Sequence, residues 1–197
     1  MIELVNLTKS FGDNAVIRNF SAVFPDGATC LMGDSGIGKT TVARMVMGLV
    51  QPDSGEVRGT QDKRISCVFQ ENRLIEELTA IKNLTLVCGE EQTGAALAML
   101  CRMGLEGSTH CPVSTLSGGM KRRVAIARAL IRPAGIYIFD EPFKELDDMR
   151  KDAVIGIIKQ HTHNAVSIFI THDADDAQAL DARIITMRQT IIAQMPI

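Results

Sequence analysis

The sequence predicts an α/β protein with a mainly parallel sheet covered by helices on both faces. Three observations lead there. Short apolar runs of strand length alternate with segments of helical periodicity. A glycine-rich loop, Gly33–Thr40, falls between one such run and a helix. A long stretch from about residue 73 to residue 131 is helical in pattern and interrupts the alternation, which predicts an inserted helical lobe.

Taken in order, Ile2–Leu7 alternates apolar and polar residues, as a half-buried strand does. Ala15–Phe24 is a second strand, ended by the turn Pro25-Asp26-Gly27. Thr29–Met32 is a short apolar strand, and Lys39–Leu49 reads as a helix behind the glycine-rich loop. The run Gln51-Pro52-Asp53-Ser54-Gly55 is a turn, and Ile65–Phe69 is a buried strand. In the lobe, Thr79 caps a helix to about Cys88, Glu91–Met103 is a second and Gly118–Ile131 a third. Strands return at Ile136–Phe139 and Val166–Thr171, with a helix near Asp148–His161 between them. Ala174–Leu180 is a short helix, and Arg183–Met187 with Thr190–Gln194 is expected as a closing hairpin. In a sheet of this kind ligands sit at the carboxyl ends of the strands.

A chain of 197 residues suits one compact domain, and 46% hydrophobic with 22% charged residues gives a well-packed core. The formal net charge of -2 argues against a general nucleic-acid binder. The short basic run Lys121, Arg122 and Arg123 reads as a solvated helix face. Five cysteines lack any C-x-x-C pair, so metal-ligand spacing is absent and they read as reduced, mostly buried thiols of a cytoplasmic protein. The first residues, MIELVNLTKSF, do not have the pattern of a signal peptide. No apolar run approaches the roughly 20 residues of a membrane helix, so any work at a membrane is expected to go through a partner.

The residues Gly33-Asp34-Ser35-Gly36-Ile37-Gly38-Lys39-Thr40 fit G-x-x-x-x-G-K-[ST] in the strand-loop-helix setting that pattern requires. Glycines let the backbone turn tightly and aim N–H groups at an anion, and the helix behind adds its positive end. Lys39 is then placed to reach the outer phosphates and the Thr40 hydroxyl to ligate Mg²⁺. By itself the loop means only a nucleoside triphosphate, and the N/T-K-x-D guanine-reading motif does not occur. Ile136-Tyr137-Ile138-Phe139-Asp140-Glu141 is an apolar strand ending in two acids. Asp140 suits a water-mediated hold on Mg²⁺, and Glu141 suits polarising the attacking water; two acids merely capping a strand are the bland alternative. Leu116-Ser117-Gly118-Gly119-Met120 opens a helix. Ser117 is an ordinary N-cap, and the same N–H groups form a second anion site.

Together these motifs make the chain resemble the ATP-binding subunits of ABC transporters over essentially its whole length. LSGGM followed by KRRVAIARAL is similar to that family's signature, and the order of the motifs agrees. The resemblance implies a P-loop NTPase (RecA-like) core, an antiparallel β subdomain and an α-helical lobe. It implies a single ATP-binding domain over residues 1–197, with a catalytic core at about 1–72 and 132–197 and the lobe at about 73–131. It also implies further site residues: Gln70 as the glutamine that contacts Mg²⁺ or the lytic water, and His172 as the switch histidine at the γ-phosphate. Asp147 matches the D-loop aspartate, Thr41 lies beside Thr40 at the nucleotide, and Phe11 takes the position of an aromatic stacked on adenine. Without the family, Gln70 and His172 carry no signal, and a core phenylalanine is the lesser alternative for Phe11. Met120 stands where glutamine is commoner, Phe11 where tyrosine is, and the D-loop reads KELD rather than SALD.

The implied activity is ATP hydrolysis with ATP and Mg²⁺, in a head-to-tail homodimer in which Gly33–Thr40 of one chain and Ser117–Gly119 of the other enclose each ATP. The implied partners are transmembrane permease subunits and a solute-binding protein, with no nucleic acid. The implied place is cytoplasmic, on the inner face of the cell membrane through the permease. Thr109–Ser114 is similar to importers rather than exporters, and VFQENRLIEELT resembles the nitrate, sulfonate and taurine importer group. The alternative is an ABC-type ATPase of a non-transport membrane complex, of the cell-division or release type.

Overall fold

A computed structural model describes residues 1–188. Two sheets organise them. β1 (Ile2–Phe11), β2 (Asn14–Phe24) and β4 (Ser54–Arg58) form an antiparallel sheet in the order β2-β1-β4. β3 (Gly27–Met32), β5 (Ile65–Val68), β6 (Ile136–Asp140), β7 (Val166–Ile170) and β8 (Arg183–Thr186) form a parallel sheet in the order β5-β6-β7-β3-β8.

Every residue of β6 and β7 is buried, which is why both read as unbroken apolar runs. Alternate side chains go to opposite faces. Ile136, Ile138, Val166 and Ile168 join the antiparallel sheet and α1 (Lys39–Val46) in one core. Tyr137, Phe139 and Phe169 join the helices of the other. On that face the rings of Phe139 and Phe169 stack with centroids 4.7 Å apart. The second core holds α2 (Ala80–Cys88), α3 (Thr93–Arg102) and α4 (Gly118–Leu130), all lying between β5 and β6 in the chain. α5 (Asp148–Thr162) and α6 (Ala174–Ala179) complete it.

Helix starts follow their caps. Thr79 Oγ1 accepts from Lys82 N, Ser117 Oγ from Met120 N and Asp147 Oδ1 from Arg150 N. α1 stops at Val46, short of Leu49, because Gly48 turns left-handed at φ 72.

Two sequence readings differ in this part of the structure, and a third falls partly outside the described residues. β4 is an exposed edge strand that begins inside the expected turn Gln51–Gly55, and its polar residues carry no alternation to read. Arg183–Thr186 pairs in parallel with β3, while the hairpin partner expected at Thr190–Gln194 lies outside the described residues. Of the five cysteines, only Cys30 and Cys88 are buried, and Cys101 on α3 is exposed. Among the described residues no helix is long and apolar enough to cross a membrane.

The stacked layer on the helical face makes a stability test. Phe139 is fully buried. Phe139→Ala is expected to destabilise the fold by about 3–5 kcal/mol through lost burial and a residual cavity. The urea midpoint should fall with the m-value unchanged; a midpoint equal to wild type would show that the layer does not depend on this ring.

Candidate functional site

The loop after β3 is shaped by its glycines. Gly33 and Gly38 have φ of 146 and 107, and a Cβ at Gly33 would sit 2.6 Å from Met187 O, one at Gly38 2.5 Å from Ile17 Cδ1. Both positions need the left-handed backbone and the missing side chain. Ile37 turns inward and is buried in the core, which fixes the loop from below, while Asp34, Ser35 and Gly36 stand exposed above it. Lys39 is buried to 9% exposure, and its Nζ donates to Gly33 O at 2.7 Å and Asp34 O at 2.8 Å. The ammonium therefore sits within the loop, held by two carbonyls that an anionic ligand would outcompete.

Thr40, in the first turn of α1, donates its hydroxyl to Asp140 Oδ2 at 2.9 Å across 100 residues of chain. Asp140 ends β6 and is 5% exposed. Burial pushes its carboxyl above the usual range. The Thr40 hydroxyl opposes that shift, the neighbouring Glu141 adds to it and Arg122 opposes it. Next to it, Glu141 takes a left-handed backbone, φ 49, uncommon for a residue with a side chain. Its N–H donates to Ile170 O, and its Oε1 lies 3.0 Å from Nδ1 of His172, just past β7. That carboxylate raises the His172 imidazole above its ordinary value, chiefly through the hydrogen bond and then through its charge.

Gln70 follows β5 and is exposed at its side chain, but its backbone is held by α4. Arg122, 2% exposed, donates Nη1 to Phe69 O (2.6 Å), Gln70 O (3.4 Å) and Asn72 Oδ1 (3.2 Å). Its Nη2 donates to Asp140 O (2.5 Å) and Glu141 O (2.7 Å), and Nε to Pro142 O (3.1 Å). Arg128 supports the same loop through Asn72 O and Arg73 O, and Arg123 is buried against Met103 O and Gly104 O. The solvated face expected for Lys121, Arg122 and Arg123 is thus wrong for the two arginines. The missed signal was their setting. Val124–Ala127 are apolar without a break, which puts a full turn of the helix beside them into the core, so cations on the adjoining turn must find partners.

The strand ends converge on a cleft of about 260 Å³ lined by Ser35, Lys39, Thr40, Gln70, Asp140 and Glu141. Thr41, Gly36 and Gly38 line it as well. A second cavity of about 660 Å³ shares Ser35, Gln70 and Glu141 with the first and extends to His172. Phe11, Ser117, Gly118, Gly119 and Asp147 line neither. Phe11 ends β1 opposite Asn14, half exposed, with Lys9 Nζ 5.6 Å from its ring centre. Ser117 and Asp147 act within the chain as the caps of α4 and α5. Gly118 and Gly119 lie under the D-loop: a Cβ on Gly119 would meet Glu145 O at 2.6 Å, and one on Gly118 would strike the Glu145 carboxylate. Lys39, the oxygen pair Thr40–Asp140 and the glycine loop fit a triphosphate with a hard divalent cation. Among the described residues no three His, Cys, Asp or Glu side chains cluster as a metal cage.

Fold and cleft define a P-loop protein that binds a nucleoside triphosphate at the carboxyl edge of a parallel sheet. Comparison with known proteins narrows the class. The family ABC transporter matches residues 18–144. The chain is 37% identical to the aliphatic sulfonates import ATP-binding protein SsuB 2 of Paraburkholderia xenovorans, over 98% of this chain and 78% of that one. It is 33% identical to the Fe(3+) ions import ATP-binding protein FbpC of Escherichia coli K12, over 98% of this chain and 61% of that one. Among solved structures it is similar to the dimeric structure of MJ0796, a bacterial ABC transporter cassette, with a TM-score of 0.85, 30% identity and coverage of 95% and 94%. A post-hydrolysis state of the same cassette bound to ADP and Pi gives a TM-score of 0.84 at 30% identity, with coverage of 95% and 94%. The chain belongs to the ABC transporter family, as an ATP-binding and ATP-hydrolysing subunit.

The Glu141–His172 contact sets a pH signature. Because the folded-state value of His172 is raised, the contact with protonated imidazole is complete below the ordinary histidine value and is lost as pH climbs through the raised one. An NMR titration of the imidazole should give a midpoint above 6.5, and Glu141→Gln should return it toward 6.5. A midpoint unmoved by that substitution would detach His172 from Glu141.

Proposed function

We propose that this chain is the ATPase of an ABC importer, coupling ATP-driven closure and opening of a head-to-tail homodimer to a membrane permease. The observation that carries this reading is the single cleft shared by Lys39, Thr40, Gln70, Asp140 and Glu141, with His172 bonded to Glu141 beside it. Backbone N–H groups of Gly33–Gly38, with Asp34, Ser35 and Ile37 between the glycines, would cradle the phosphates. Lys39 would exchange its two loop carbonyls for phosphate oxygens. Thr40, Asp140 and Gln70 would hold Mg²⁺, and Thr41, which lines the same cleft, would contact the nucleotide. When bound, the ion neutralises charge on the phosphates. Glu141 takes the proton of the attacking water or orients it, and His172 steadies the Glu141 carboxylate and faces the γ-phosphate. Phe11, exposed at the end of β1, is free to stack on a base.

Ser117–Gly119 cap a helix N-terminus but do not line their own chain's phosphate cleft. Their anion site therefore suits the ATP of a second copy, as does Asp147 next to it in the D-loop. The dimeric arrangement of the solved cassette supports this. ATP acts as the joint: its γ-phosphate contacts close the dimer, and hydrolysis releases them. In this reading the domain spans residues 1–197, with the catalytic core at about 1–72 and 132–197. The lobe at about 73–131, together with Gln70, faces the permease on the cytoplasmic side of the membrane. The relatives named as import ATP-binding proteins support import, and the aliphatic sulfonates of the SsuB names support a sulfonate-type solute.

Two variants test this. Glu141→Gln should keep ATP binding, lower turnover by about 100-fold or more and accumulate an ATP-bound dimer; wild-type rates in a steady-state ATPase assay would remove Glu141 from the mechanism. Ser117→Arg should leave nucleotide affinity intact and abolish ATP-driven dimerisation, because a long cation would fill the shared gap. An undiminished dimer peak in gel filtration with ATP would contradict the shared site.

A further inference from the structure

The β5–β6 ladder ends with Val68 opposite Phe139. Beyond that point the two strand ends carry Gln70 and Glu141, and their carbonyls are joined by one guanidinium. Arg122 spans from Phe69 and Gln70 on one side to Asp140, Glu141 and Pro142 on the other. All five of its N–H donors are used, so it has no capacity left for a phosphate. Glu141 is pinned at both ends of its peptide. Its N–H bonds Ile170 O and its carbonyl bonds Arg122, which holds a residue at φ 49 that a free chain would not keep there.

The geometry points to Arg122 as a positioning residue for ATP hydrolysis: it fixes the Glu141 carboxylate and the Gln70 loop at one spacing across the cleft, without touching substrate. This rests on the roles proposed above for Glu141 and Gln70. Arginine suits the task and lysine does not, because a planar fork reaches two chain segments at once and an ammonium is a point donor. Burial lowers the guanidinium to about 10, still charged at neutral pH, with Asp140, Glu145 and Glu141 opposing the shift. Its charge-assisted bonds therefore persist through the working range.

The test compares wild type, Arg122→Lys and Arg122→Gln in the full chain. Three quantities are read: affinity for a fluorescent ATP analogue, kcat with KM, and the His172 imidazole titration midpoint by NMR. Arg122→Gln should lower kcat about 100-fold, as a displacement on the order of 1 Å does, with analogue affinity within about threefold. Arg122→Lys, which keeps the charge and some of the bonds, should fall between. The His172 midpoint should drop in both variants as Glu141 moves away. Loss of a nearby cation by itself would raise that midpoint, so the direction separates displacement from charge. A kcat within twofold of wild type in either folded variant overturns the proposal, as does an unmoved or raised midpoint. If Arg122→Gln shows no cooperative melt, Arg122→Lys decides alone. Glu141→Gln is the control: wild-type turnover there would overturn the site reading, while the His172 midpoints would still report whether Arg122 places Glu141.

Discussion

Five carbonyls and one side-chain amide oxygen end on the guanidinium of Arg122, and the catalytic edge of the molecule is built around that fact. The constraint is one of satisfaction. Past Val68 and Phe139 the β5–β6 ladder ends, and the carbonyls beyond it lie buried or partly buried against α4. Each left without a donor costs about 1–3 kcal/mol. A charged donor delivered by α4 closes them together, and burial of that charge is tolerable only because every N–H is used. The result is a rigid frame made by a residue that takes no part in the chemistry.

The other long-range tie, Thr40 to Asp140, works on the opposite side of the cleft. It joins the start of α1, just behind the phosphate loop, to the end of β6. Asp140 is buried with its carboxyl pushed upward, and within this chain it has a hydroxyl rather than a cation as direct side-chain partner. An anion in such surroundings would gain from a divalent ion, as the proposed Mg²⁺ role requires. Lys39 rests on two loop carbonyls, which phosphate oxygens would replace in the proposed role.

The D-loop departs from the family pattern where it touches the signature segment. Lys144-Glu145 stand in place of serine and alanine, and Glu145 takes a left-handed backbone at φ 69. Its carboxylate lies against Gly118 and its carbonyl against Gly119. A side chain at Gly119 would meet the Glu145 backbone, so glycine is required there within a single chain, whereas one at Gly118 would displace only the end of the Glu145 side chain. At Gly119 close approach and the anion capture proposed for this segment ask for the same residue.

The glycine loop, the strand ending in Asp140-Glu141, the cap at Ser117 and the helical stretch after residue 73 were legible in the sequence because each is a local pattern. Spacing, periodicity and turn chemistry act over a few residues, and the folded chain keeps them. Other features come from pairing and burial between distant segments, which no local pattern encodes. The exposed strand β4 exists because β1 offers it an edge. Arg183–Thr186 runs parallel to β3 because the sheet had a place beside that strand. Gln70 and His172 gained meaning only when the strand ends came together at Glu141. The KRR run reversed its meaning: read as charge it belonged to water, and the fold buried two of its three residues to close carbonyls that the strands left open. The sequence alone determined what chemistry this chain carries. The tertiary structure decided which residues hold that chemistry in place, because a buried donor is defined by the acceptors around it.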